Sequence, residues 1–458
     1  MTILKRLLPL GLLFPLGAFA HNPAVHEYTL DNGLKLIVKE DHRSPVVVSQ
    51  VWYKVGSTYE HDGTTGLSHA LEHMMFKGTP SHGPNEFSRI IAENGGQENA
   101  FTSHDYTAYF QELQKDRLHI SFALESDRMR HLSLDPKEFA KEIQVVMEER
   151  RMRTDDDPES LTDEQFNAVA FLNSAYRIPV IGWMDDLTHM RVEDLRRWYQ
   201  AWYAPNNAVL VVVGDVDPQQ VYALAKKYFG PLTPSPIPKV KPRDEIPQTG
   251  MRRIIVKAPA ELPYVIMGYK VPVLKTAQPQ WEAYALEVLS GILDGGNGAR
   301  LSRYLIRDQQ VAAEASAGYS LDARGENLLA LDGTPAQGHT PVELEKALLD
   351  QVHRLRDQPV GQDELERVKA QVVADDVFQR DSVFYQAMRI GSLEAVGLPW
   401  QMEDQYVDKV KAVTAEQVQK VAQKYLGDDQ LTVAVLEPLP ITDEERMHMQ
   451  HSGGANVR

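Results

Sequence analysis

The chain has 458 residues, 48 Lys+Arg against 64 Asp+Glu, a net charge of −16 and no cysteine. Its length allows about two to four domains, and 43% hydrophobic with 24% charged residues is the composition of a folded globular protein. The acidic balance argues against a general nucleic-acid binder, which needs a basic face to displace counterions. The missing Cys excludes disulfides, Cys-ligated zinc, iron–sulfur clusters and thiol catalysis together.

The chain opens on a stretch that reads as a secretory signal. Lys5 and Arg6 precede apolar Leu7 to Phe19, and Ala18-Phe19-Ala20 supplies the small residues a signal peptidase reads, with cleavage after Ala20. The run of about 13 apolar residues, broken by Pro15, is too short to span a bilayer comfortably. No later segment reaches about 18 apolar residues, so no membrane span is expected after signal cleavage. The address is then the periplasm, or secretion beyond it.

In chain order, Leu34 to Val38 reads as a strand, and the alternating segments Val46 to Trp52 and Tyr106 to Leu113 as half-buried strands. Arg117 to Leu132 and Lys137 to Arg153 read as amphipathic helices. Val192 to Tyr203 has helical spacing and leads into the β run Val209 to Val213. A Pro-rich stretch, Pro231 to Pro242, cannot form a helix or a central strand and reads as an extended linker. Beyond it the pattern returns: a strand at Arg253 to Val256, then near the end a helix at Ala415 to Leu426 before a strand at Leu431 to Val435. Gly295 to Gly298 lacks the Lys-Ser/Thr ending of a phosphate loop and reads as a loop or cap. The expectation is an α+β fold of two similar domains, each a mostly antiparallel sheet packed with helices, from an ancient duplication. The divisions are residues 1–20 signal, 21–232 first domain, 233–249 linker, 250–440 second domain and 441–458 flexible tail.

The stretch Gly66 to Thr79 reads G-L-S-H-A-L-E-H-M-M-F-K-G-T. His69 and His73, four apart, lie one above the other on one helix face, where two imidazole nitrogens can share a zinc ion at about 2.0–2.1 Å each. Glu72 comes close to such a metal without having to bind it, where a general base for a zinc-bound water belongs. Two histidines at this spacing also occur by chance in ordinary helices. The flanking Leu67, Ala70, Leu71, Met74, Met75 and Phe76 predict a buried helix, however, in which His, Glu and His are costly unless something such as a metal satisfies them.

H-x-x-E-H is the inverted zincin motif, and its surroundings resemble the pitrilysin/insulinase family of zinc peptidases, especially the short group that includes the mitochondrial processing peptidase. The resemblance rests on L-D-N-G-L-K-L-I-V (Leu30 to Val38), G-S-T-Y-E-H-D-G-T-T-G-L-S-H (Gly56 to His69), G-G-Q-E-N-A-F-T-S-H-D-Y-T-A-Y (Gly95 to Tyr109) and Y-A-P-N-N-A-V-L-V-V-V-G-D (Tyr203 to Asp215). It covers nearly the whole mature chain. It implies a zinc-dependent endopeptidase with one Zn2+ per chain, held by the first domain. The family's third ligand, a Glu well beyond the second His, matches Glu149, with Glu148 as its neighbour and competitor. A Glu at the place of Glu142 supports the family's site by orienting a zinc-bound histidine; without the resemblance, Glu142 and Glu148 read as a solvated acidic helix face. Two His and one Glu leave a fourth position for water, with Glu72 as the base. The strand around Asn99 and Ala100 resembles the family's substrate edge, where an extended peptide adds as one more strand. Outside the resemblance it reads as an ordinary edge strand. His61, His82 and His104 read as loop or surface residues, and His448 with His451 as a weak pair in the tail.

The pattern breaks in the second half. The family places an Arg and a Tyr there, seven apart, over the zinc. Arg307 fits the Arg, but seven residues on stands Glu314, whose charge has the wrong sign to stabilise an oxyanion; Tyr304 and Tyr319 are off the spacing. Some family pairs divide zinc and Arg-Tyr between two chains. The resemblance therefore implies a dimer, a heterodimer with a similar zinc-free chain in preference to a homodimer, acting on peptides or unfolded segments. The alternatives from other classes are a non-catalytic assembly subunit and a peptide-binding protein with the same fold.

Overall fold

The computed structural model describes residues 25–441. The expected signal with its cleavage site, and His448 and His451 of the expected tail, lie outside them. The first half carries β1 (Val25–Thr29), β2 (Lys35–Glu40), β3 (Val46–Tyr53), β4 (Gln97–Thr102), β5 (Thr107–Gln114) and β6 (Ala208–Gly214). Its helices are α1 (Leu67–Met74), α2 (Glu86–Glu93), α3 (Leu118–His131), α4 (Pro136–Arg150), α5 (Pro158–Ala170), α6 (Met184–His189), α7 (Val192–Trp202) and α8 (Pro218–Tyr228). The second half carries β7 (Arg252–Pro259), β8 (Tyr264–Val271), β9 (Ala312–Tyr319), β10 (Asn327–Pro335) and β11 (Leu431–Leu439). Its helices are α9 (Trp281–Asp294), α10 (Pro341–Asp357), α11 (Gln362–Gln379), α12 (Val383–Val396), α13 (Met402–Lys411) and α14 (Ala415–Tyr425). Residues 233–249 between them carry neither helix nor strand.

Two sheets result, ordered β1-β2-β6-β3-β5-β4 and β7-β11-β8-β10-β9. In the first, only β2 and β6 run parallel, with Ile37 opposite Val211; in the second, only β7 and β11 do, with Ile255 opposite Val435. Every other pairing is antiparallel. Without β1, the two sheets have the same order and the same sense at every step. This is the α+β duplication expected from the sequence, and α7–β6 and α14–β11 are its matching closing units. The last strand of each sheet sits inside it because its sequence is apolar on both faces: all seven residues of β6, A-V-L-V-V-V-G, are buried.

Each sheet is covered on one side by helices of its own half. Leu36, Val38, Val51 and Tyr53 meet Leu71, Met74, Phe122, Leu195 and Tyr199 in the first core; Val265, Met267 and Tyr269 meet Leu286, Leu289, Leu348 and Val421 in the second. The opposite faces are covered by exchange. Phe166 and Ala170 of α5 pack on Val256, Ala258, Tyr264 and Ile266 of the second sheet. Ala387, Ile390 and Ala395, on α12, pack on Val48, Trp52, Val209, Val211 and Val213 of the first. Helices α5 and α12 hold equivalent places, each the third helix after its hairpin, β4–β5 or β9–β10. At the α12 crossing a Cβ on Gly391 would stand 2.1 Å from the Trp52 ring, so only glycine allows this approach. Lys35 to Glu394 (2.9 Å) and Gln386 to Asp41 (3.0 Å) add polar contacts across the join.

Candidate metal centre

Helix α1 turns Leu67, Ala70, Leu71 and Met74 into the first core, which leaves His69, Glu72 and His73 facing α4 and the β4 edge. Its N-cap, Gly66, has φ +85° and offers no side-chain cap. The cap comes instead from Glu60, fully buried, whose two carboxylate oxygens accept the backbone N–H of Gly66 and of Ser68 at 2.7 Å each. Helix α4 begins at Pro136 behind Asp135, which accepts the N–H of Lys137 at 2.7 Å. The α-helix expected to reach Arg153 stops at Arg150, and Arg151–Asp155 continues as a wider π-helical turn beside the site.

Glu142 and Glu149, seven apart, lie on nearly one face of α4. The Glu149 carboxylate oxygen Oε2 stands 3.2 Å from His73 Nε2 and 3.8 Å from His69 Nε2. One ligand atom from each of His69, His73 and Glu149 falls within 4.8 Å of the others, and among the described residues this is the only such group of His, Cys, Asp and Glu. Glu148 projects outward, 61% exposed, to pair with Arg151 at 2.8 Å. The other Glu149 oxygen is held by Arg153 at 2.8 Å. His73 Nδ1 lies 2.9 Å from Glu142 Oε1, and Lys77 donates to Glu142 Oε2 at 2.7 Å. His69 Nδ1, in contrast, is buried without a hydrogen-bond partner. Glu72 accepts the Thr102 hydroxyl at 2.5 Å.

The electrostatics separate the two imidazoles. Burial, aided by the charge of His73, brings His69 down to about 4. Burial pulls His73 the same way but is outweighed by its bonds to Glu142 and Glu149, so that it rises to about 9. Burial alone would raise Glu149, yet His73 and His69 hold it below the usual carboxylate range. Glu72 is raised by burial, with the Thr102 hydroxyl acting against it. The donor set fits a zinc ion: two imidazole nitrogens and one carboxylate oxygen converge, no thiolate is needed, and three protein ligands would leave room for water. The equivalent helices of the second half, α9 and α11, contain no histidine.

These residues line a cleft of about 800 Å³ whose wall continues along Asn99, Ala100, Phe101 and Thr102 and across to Pro179–Ile181. Strand β4 is the edge of its sheet. The Ala100 N–H is taken by the Asn99 side chain at 2.8 Å rather than by a neighbouring strand. Arg307 is not brought here. Its guanidinium turns onto the Asn297 carbonyl at 2.5 Å, in a separate cavity with Arg300, Arg303 and Tyr304. Glu314 is exposed on the edge strand β9, opposite Thr334. The Tyr304 ring has the Arg303 and Arg354 guanidinium groups at 5.2 and 5.4 Å, and the Tyr319 hydroxyl donates to the Pro272 carbonyl. His104 is half-buried beside Ser57, His82 pairs with Asp127 and His61 is exposed. Sequence reasoning missed Glu60, Thr102 and Arg153. Arg153, four residues after Glu149, carried the only readable signal, its spacing.

Residues 35–182 match the model of the insulinase family, peptidase family M16, and residues 189–372 match the peptidase M16 inactive domain. The zinc protease PqqE of Helicobacter pylori is 32% identical, over 95% of this chain and 99% of its own. The beta subunit of the mitochondrial-processing peptidase of Lentinula edodes is 25% identical, over 89% and 88%. The crystal structure of a protease from Helicobacter pylori superposes with a TM-score of 0.86 at 30% identity, covering 91% of this chain and all of that one.

Proposed function

The chain belongs to the insulinase (M16) family of peptidases, and from that premise we propose that it is a zinc-dependent endopeptidase that hydrolyses peptides or unfolded segments. The observation that carries the reading is the convergence of His69, His73 and Glu149 on one point, with Glu72 on the same helix face beside them. His69, His73 and Glu149 hold the metal and Glu142 orients His73. Zinc, when bound, supplies a Lewis acid that polarises the scissile carbonyl and makes water acidic near neutral pH. Glu72 accepts a proton from the attacking water and returns it to the departing amine, and its raised pKa suits both transfers. Thr102, at the end of β4, fixes one Glu72 oxygen and so ties the base to the substrate edge. A peptide laid along β4 meets an edge whose Ala100 N–H needs only the Asn99 side chain to swing aside.

The signal-like start favours a periplasmic or secreted location. The missing family Tyr and the position of Arg307 favour a site completed by a similar, zinc-free chain, as a heterodimer. They are also what a non-catalytic assembly subunit or a peptide-binding protein would show. A quenched, unstructured peptide pool offered to the zinc-loaded chain, alone and with such a partner, decides among these, with Glu72→Gln as control. Cleavage that disappears in the control supports the peptidase. Cleavage by the lone chain, with light scattering showing a homodimer, removes the heterodimer. Silence with both chains present removes the enzyme and leaves the assembly or binding role.

A further inference from the structure

The two histidines of the centre are held by different means. His73 has Glu142 at its second nitrogen, 2.9 Å away; His69 has nothing at its own, although that nitrogen is buried. The orientation of the His69 ring therefore depends on packing and on the backbone that carries it. That backbone is the first turn of α1, Leu67, Ser68 and His69, the part of a helix that frays first when its N–H groups are unpaired. Gly66 has no side chain with which to cap it.

We infer that Glu60 is a positioning residue for the metal centre: by gripping the N–H groups of Gly66 and Ser68 it holds the first turn of α1, and with it His69, in the place from which the ring reaches the metal. It does through the main chain for His69 what Glu142 does directly for His73. The geometry is specific. Both Glu60 oxygens are used, at 2.7 Å each, on the two N–H groups that flank Leu67. Its carboxylate has no ion-pair partner among the described residues; burial pushes it up to about 7, and the N–H groups at the positive end of the helix are what work against that rise. Arg243, from the segment joining the halves, donates to the Glu60 carbonyl at 3.1 Å and anchors the residue from behind. The turn has little room to move, since a Cβ on Gly66 would stand 2.6 Å from the Ile181 carbonyl.

The inference rests on the zinc reading above, and the test separates the two. Glu60→Gln keeps the shape but sets an amide NH2 against one of the backbone N–H groups; Glu60→Asp, one methylene shorter, serves if the first variant does not fold. Asp217→Ala removes a cap of the same kind from α8, no residue of which lines the cleft, where Asp217 accepts the Gln220 N–H at 2.8 Å. Zinc dissociation constants by chelator competition, and the visible spectrum of the Co2+-loaded protein, are read for each. The Glu60 variant is expected to bind zinc at least about tenfold more weakly, with a shifted cobalt spectrum and a kcat that falls more than KM rises. Asp217→Ala is expected to lower the melting temperature while leaving affinity and spectrum unchanged. Wild-type affinity and spectrum in the Glu60 variant overturn the inference alone, as does equal weakening by Asp217→Ala. A wild-type chain that takes up no zinc overturns the zinc reading and this inference with it.

Discussion

His73 Nδ1 and Glu142 Oε1 stand 2.9 Å apart, and Lys77 holds the other Glu142 oxygen at 2.7 Å. A carboxylate so placed keeps a proton on Nδ1, so that Nε2, which faces Glu149 at 3.2 Å, is the nitrogen left to a metal once its own proton is given up.

Glu142→Gln keeps a hydrogen bond but loses the charge that makes the imidazole a strong donor. Zinc affinity is expected to fall about 10- to 100-fold, with hydrolysis recovered largely in excess zinc. Isothermal titration of the metal-free variant checks the first part and activity against added zinc the second.

The pH dependence of zinc uptake follows from His73. Its pKa is raised to about 9 in the metal-free chain, so the protonated form, with the interactions that stabilise it, persists near pH 7 and is lost as pH rises through about 9. Zinc must displace the Nε2 proton. Binding near pH 7 should therefore release close to one proton per chain from this residue, and apparent affinity should improve towards pH 9. Calorimetry in buffers of different ionisation enthalpy measures the release; uptake without it would contradict the assignment.

Gly391→Ala places a methyl group 2.1 Å from the Trp52 ring, where α12 crosses the first sheet. Overpacking of this kind costs about 1–3 kcal/mol, and here it separates a helix of one half from the sheet of the other. The denaturation midpoint should fall. A broadened or biphasic transition would show that the halves have lost their mutual support.

Glu287, on α9, is pushed up to about 7 by burial, with the negative charge of Asp322 adding to the effect and the Tyr406 hydroxyl opposing it. An unfolded Glu titrates near 4.3. Between these values the folded chain binds more protons than the unfolded one, so this group costs stability as pH rises from about 4.5 through 7. Glu287→Gln removes that dependence. Relative to wild type, the variant should gain about 2 kcal/mol on going from pH 5 to pH 8, measured by denaturant unfolding at each pH.

Much of this was legible from periodicity and spacing. The buried helix with His69, Glu72 and His73, the strand runs Val46 to Trp52 and Val209 to Val213, and the repeated helix-then-strand ending are local patterns, and local patterns survive folding. The exchange of α5 and α12 was not legible. Phe166 and Ala170, like Ala387 and Ile390, mark an apolar face, but such a face does not say which sheet it meets. The family spacing points to Glu149 and leaves Glu148 as its competitor; the structure adds the phase on α4, where Glu149 shares a face with Glu142 while Glu148 turns outward to Arg151. Glu60 lies seven residues before the first residue of the helix it caps, outside the positions at which caps are read. Arg307 has the spacing of a site residue, and what turns it away is a carbonyl ten residues upstream.

The traded helices also give the duplication a physical form. Two copies of one unit that each lend a helix to the other's sheet are a swapped dimer before any segment joins them. Residues 233–249 need then only keep the copies in one molecule, which a run without helix or strand can do. A protease cut there should leave two pieces that stay together under native conditions, whereas neither piece made alone could cover its own sheet. The metal centre depends on the same arrangement, since α5, whose Ser160 and Glu164 line the cleft, is held in place by the sheet of the opposite half.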